Sequence, residues 1–113
     1  MTNNDIFESQ VNSDGSRAGV YEHDDDVGYF YLYDLTRTEG QKVTAAIRVS
    51  VGPFRYSLDD LAIRWSGNER FVGLFIKNQL CAVFDAKSHE AFGGESEHSG
   101  SIPESIKNTF KTP

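Results

Sequence analysis

The densest set of side chains able to bind a cation or a basic group is Glu22, His23, Asp24, Asp25 and Asp26. Ca²⁺ takes several carboxylate oxygens from a flexible loop, and a helical calcium loop needs alternating ligands with glycine sixth and glutamate twelfth. Counted from Asp24, the glycine here, Gly28, comes fifth. The run therefore reads as a solvated hairpin turn or an acidic contact patch, and no metal site is expected. His89 and His98, the other two histidines, stand in a polar stretch with Glu90, Glu95 and Glu97 at a separation that matches no recurrent zinc spacing.

Nucleophilic catalysis asks for Ser, Thr or Cys on a sharp turn beside a base. No G-x-S-x-G is present, and Cys81 lies between Leu80 and Ala82 in an apolar run, where a thiol behaves as a small buried hydrophobe. Asp59 and Asp60 are adjacent carboxylates of the kind that start a helical turn. Gly93 and Gly94 lack the Lys and Ser or Thr of a phosphate-cradling loop. Arg48, Arg55, Arg64 and Arg70 alternate with aromatic neighbours, which fits arginines on the wet side of strands whose rings turn inward. The expectation is that the protein is not an enzyme and uses no cofactor.

Charge is divided unevenly along the chain. The first forty residues hold nine carboxylates against Arg17 and Arg37, a net of −7, whereas the remainder nets +1. An acidic surface repels phosphate backbones and steers toward basic proteins, so a basic protein partner is expected and nucleic acid is not. A single cysteine excludes an intramolecular disulfide. No apolar run reaches the roughly 18 residues needed to span a bilayer, and the start of the chain lacks a secretory pattern, so a cytoplasmic protein without membrane contact is expected.

The elements that would position these groups show a period of two. In YFYLYD, Tyr29, Tyr31 and Tyr33 occupy one face and Phe30, Leu32 and Asp34 the other. Phenol hydroxyls tolerate a wet border, so the tyrosines are expected to edge solvent or a groove while Phe30 and Leu32 enter the core. Ala18 to His23 is a preceding strand, and Gly28 is expected to supply an unusual backbone angle on re-entry from the acidic turn. Val43, Ala45, Ile47, Val49 and Val51 predict a half-buried strand with those five side chains inward. Gly52 and Pro53 end it, Ser57 to Asp60 form a single capped turn, and Leu61 to Trp65 resume alternation.

Phe71 to Ile76 and Leu80 to Phe84 form a hairpin apolar on both faces, so something must cover it above and below. Lys87 to Ser101 reads as an irregular loop, and Pro103 opens a short amphipathic helix with Ile106 and Phe110 four apart. The predicted fold is mainly β: a single-domain antiparallel meander of five to seven strands, sandwich-like or half-barrel, with a short C-terminal helix. Residues 1–17 would be a polar arm or an edge strand, and residues 18–113 one domain.

The string LAIRWSGNERFVGLFIKNQLCAVFD, with GYFYLYD upstream, resembles a small bacterial family of uncharacterised proteins, a domain of unknown function, over about half the chain. That resemblance implies no activity or site residues. The residues themselves point first to a non-catalytic protein-binding module, immunity- or inhibitor-like, using Glu22, Asp24, Asp25, Asp26, Tyr29, Tyr31 and Tyr33. A small-ligand binder or enzyme is the alternative, with a pocket between the sheet and the 87–101 loop walled by the three tyrosines and Trp65. Homodimerisation through a sheet edge is a third expectation.

Overall fold

A computed structural model of the chain describes residues 6–24, 26–94 and 101–110. Alternation builds two antiparallel four-stranded sheets in sequence order. The first contains β1 (Ile6–Val11), β2 (Arg17–His23), β3 (Val27–Asp34) and β4 (Val43–Val51). The second contains β5 (Leu61–Trp65), β6 (Phe71–Ile76), β7 (Gln79–Asp85) and β8 (Ala91–Gly93). A single 3-10 turn, Leu58–Asp60, links them, and α1 (Glu104–Asn108) is the C-terminal helix. The described strands number eight, one above the expected range, because β8 forms inside the stretch read as irregular loop.

The hydrophobic effect closes the sandwich. Tyr21, Phe30, Leu32 and Ile47 from the first sheet meet Leu61, Ile63, Val72, Leu74 and Phe84 from the second. Phe30 and Phe84 stack across the interface with centroids 5.0 Å apart. Gly19 permits this approach, since a Cβ there would come within 2.7 Å of Val72 and 3.0 Å of Ile63. Gly28 plays a similar part and corrects the expectation for it. Its φ is not positive; it leaves room for Tyr21 and for the His23 ring, whose Cδ2 would lie 2.7 Å from a Cβ.

Hairpin β6–β7 turns through Lys77 and Asn78, both at positive φ as a tight primed turn requires. It is covered twice. The first sheet takes one face; Ile102, Ile106 and Phe110 of the C-terminal segment pack with Phe71, Phe75, Leu80 and Val83 on the other. The sheets also lean together at both corners. At one, Trp65 Nε1 donates to the Gln10 carbonyl at 3.0 Å, and Ser13 bonds Glu69 through its backbone N–H (2.9 Å) and hydroxyl (2.7 Å). At the other, β8 lies against β4.

Strand β4 departs from simple alternation. Its register against β3 shifts at Gly28/Tyr29 and at Leu32/Tyr33, so Val51 pairs with Val27 and Val43 with Tyr33. Both valines are exposed rather than inward, while Ile47 keeps its place in the core. Each extra residue of a bulge exchanges the faces of the residues beyond it.

Candidate interaction face

The outer face of the first sheet is built from cross-strand rows. Phe7, Glu22, Tyr29 and Arg48 lie in one row; Ser9, Val20, Tyr31 and Ala46 in the next; Val11, Ala18, Tyr33 and Val43 in the third. Strand β3 alternates strictly, with Phe30 and Leu32 buried and the three tyrosines half-buried. Tyr29 and Tyr31 stack at 5.8 Å with 18° between their planes, and Tyr33 meets Tyr31 edge-on at 6.3 Å. Ala18 and Val20 are buried on this outer side, so the face has an apolar floor.

Phe7 (59% exposed), Val11, Val43 and Val51 belong to this same face, four of the six most exposed large hydrophobics among the described residues. Contiguous exposed apolar surface rimmed by charge marks a contact site more often than scattered single residues do. The corresponding outer face of the second sheet is closed by the C-terminal segment.

A groove of about 330 Å³ opens at one end of the face, lined by Ile6, Phe7, Glu22, His23, Asp24, Val27, Tyr29 and Tyr31. The structure thus gathers four of the residues singled out in the sequence, Glu22, Asp24, Tyr29 and Tyr31. Tyr33 lies farther along the ladder, Asp26 lies in the turn beside it, and Asp25 is outside the described residues. Ile6 and Phe7, whose spacing with Val11 in an otherwise polar stretch suggests an edge strand, are not among the expected site residues. Their signal was the alternation of Phe7, Ser9 and Val11, which means little until β1 is known to pair with β2.

The acidic turn is an Asx-type turn. Asp24 Oδ1 accepts the N–H groups of Asp26 at 2.8 Å and Val27 at 2.9 Å, and these bonds hold its carboxyl below the usual carboxylate range. Asp24 is therefore anionic at neutral pH. Burial, with the charges of Glu22 and Asp24, pushes the Tyr31 phenol upward; burial, Glu22 and Glu39 do the same for Tyr33. Both rings stay neutral and offer their π-faces beside negative charge.

His23 is 1% exposed, its ring beside Phe54 at 5.4 Å and Nδ1 against the Asp24 carbonyl. Cys81 is half-buried rather than buried, and that burial pushes its thiol up, away from the reactive thiolate. His98 lies outside the described residues, and among those described no group of three or more His, Cys, Asp or Glu is placed to hold a metal. No described helix is long and apolar enough to cross a membrane.

Among the described residues, the expected walls of the alternative pocket are not brought together. β8, the described core of the 87–101 stretch, lies against β4, whereas Trp65 bonds Gln10 on β1 at the opposite edge of the first sheet.

Comparison with known sequences places this geometry in a family. Residues 1–105 match the family described as "Uncharacterized protein conserved in bacteria (DUF2251)". The chain belongs to that family. The match takes in both sheets and reaches into α1, well beyond the half of the chain that carried the sequence resemblance. No curated protein and no solved structure shows significant similarity to it.

Proposed function

We propose that this chain is a non-catalytic protein-binding module, immunity- or inhibitor-like, which takes a basic protein partner on the outer face of its first sheet. The observation that carries the reading is the unequal covering of the sandwich. One sheet has its own strap of Ile102, Ile106 and Phe110, while the other, without such a strap among the described residues, leaves Phe7, Val11 and Val43 exposed and Tyr29, Tyr31 and Tyr33 half-buried. Aromatic rings bring much contact area at little conformational cost, and the partly buried floor beneath them resembles the dry centre of an interface.

Electrostatics supports the sign of the partner. The residues that build β1 to β3 lie in the −7 portion of the chain, and Glu22, Asp24 and Asp26 rim the groove end of the face. Such a field speeds association with a basic protein and opposes a phosphate backbone. The free thiol of Cys81 suits a reducing compartment, and the reading places the protein in the cytoplasm.

The test is capture from the native host at low and high salt, with the wild-type chain and with Glu22→Gln/Asp24→Asn/Asp26→Asn. Asparagine keeps the turn-capping oxygen at position 24, so the fold is retained. A partner held at low salt, released at high salt and lost with the triple variant is the expected outcome. Capture indifferent to both salt and substitution overturns the reading. Light scattering of the isolated chain separates this from self-association, which would shift the mass to a dimer without any partner.

A further inference from the structure

Resting on that reading, we propose that the groove beneath Tyr29 and Tyr31 is a socket for one arginine side chain of the protein partner, held by Glu22 and stacked on the tyrosine pair. The argument begins with how this chain satisfies its own arginines. Arg70 forks onto Asp85, with Nε 3.2 Å from Oδ2 and a terminal nitrogen 3.0 Å from the same oxygen, while its guanidinium lies 5.5 Å from the Phe71 ring centroid. Arg64 lies 5.0 Å from the Phe75 centroid and donates to the Phe110 carbonyl. In both cases a guanidinium meets an aromatic ring and an oxygen acceptor together.

The groove supplies the ring and the acceptor. Glu22 stands between Phe7 and Tyr29 in its cross-strand row, exposed, and makes no hydrogen bond or ion pair to any described residue. Beside it the nearly parallel Tyr29 and Tyr31 rings offer a broad π-surface. Asp24 adds a second anion, with Oδ1 committed to the turn. Arg48 borders Tyr29 from the β4 side, opposite the groove's β1 side, and has its own interaction.

Size and chemistry choose the occupant. A volume of about 330 Å³ is at the small end of ligand pockets and admits a long side chain rather than a large organic molecule. The walls Ile6, Phe7 and Val27 suit a methylene stem, and the carboxylate suits its charged head. A planar guanidinium stacks on a ring and pairs with both carboxylate oxygens at once; an ammonium offers only a point charge, and it sheds water less readily. Arginine therefore fits better than lysine.

The experiment titrates the full chain with N-acetyl-arginine methylamide, its lysine counterpart and its neutral citrulline counterpart at constant ionic strength, reading amide shifts by NMR. Shifts concentrated at Phe7, Glu22, Tyr29 and Tyr31, largest for arginine and absent for citrulline, are expected. Glu22→Gln weakens the arginine complex about fivefold or more, in keeping with loss of one charged contact. Tyr29→Phe keeps the ring and the binding; Tyr29→Leu loses the binding, and unchanged shifts elsewhere show that it folds. Equal response to citrulline, or arginine shifts spread evenly over remote carboxylates such as Asp59 and Glu104, overturns the socket. If no arginine response is seen while face-dependent capture from the host persists, the socket falls and the docking reading stands; if both fail, both fall.

Discussion

Asp85 shows how far single residues carry the stability of this small protein. It is 4% exposed and accepts Arg70 together with the backbone N–H groups of Lys87 at 2.9 Å and Ser88 at 3.2 Å. Burial raises its carboxyl, but Arg70 and the two N–H groups outweigh burial and hold it below the usual range. Asp34 is also lowered, chiefly by the Thr36 hydroxyl and N–H. A carboxylate whose folded value is depressed contributes stability above its unfolded value, near 4, and loses it as pH falls through the folded value. Urea unfolding across a pH series is therefore expected to show constant stability near neutrality and a decline below about pH 4, shallower in Asp85→Asn. Asp85→Ala, which takes the charged acceptor from the Lys87 and Ser88 N–H groups while the half-exposed Arg70 turns to water, is expected to cost about 1.5 to 3 kcal/mol at pH 7.

Among the elements, β3 was legible from its residues and β4 only partly. Strict alternation in YFYLYD was enough to send Phe30 and Leu32 inward and the tyrosines outward. The same rule applied to β4 placed Val43 and Val51 inside, because a bulge is a property of the pairing between two strands and leaves no mark in one of them. Val43→Thr and Val51→Thr are accordingly expected to change stability by no more than about 0.5 kcal/mol, whereas Ile47→Ala costs about 2 to 5 kcal/mol by chemical denaturation. Gly19→Ala is expected to cost about 1 to 3 kcal/mol, since the new methyl meets Val72 and Ile63 of the facing sheet. The groove was half legible for the same reason. Glu22, Asp24, Tyr29 and Tyr31 are close in sequence across one hairpin, but Ile6 and Phe7 reach it through pairing of a polar strand.

For the whole molecule, the two-sided apolar character of hairpin β6–β7 forecast that it would need two covers, and both are present: the first sheet and the C-terminal segment. β8 stayed hidden, as three residues in a glycine-containing stretch carry too little pattern to announce a strand. The strap contributes Ile106 and Phe110 from a helix of five residues and the turn after it, too short to be stable without the sheet beneath. Phe110→Ala is expected to remove about 3 kcal/mol and to raise binding of a hydrophobic dye, because Phe75 and Val83 lose their cover. Measured beside the face substitutions, this variant separates loss of folding from loss of docking.

Trp65 is the sole indole of the chain, and its N–H is bound to the carbonyl of Gln10 on the strand that contributes Phe7 to the groove. The molecule thus contains its own optical gauge. An occupant that displaces β1 alters the polarity around that indole, so emission wavelength and acrylamide quenching register the event in unlabelled material, while one that seats without moving β1 leaves the spectrum as it was.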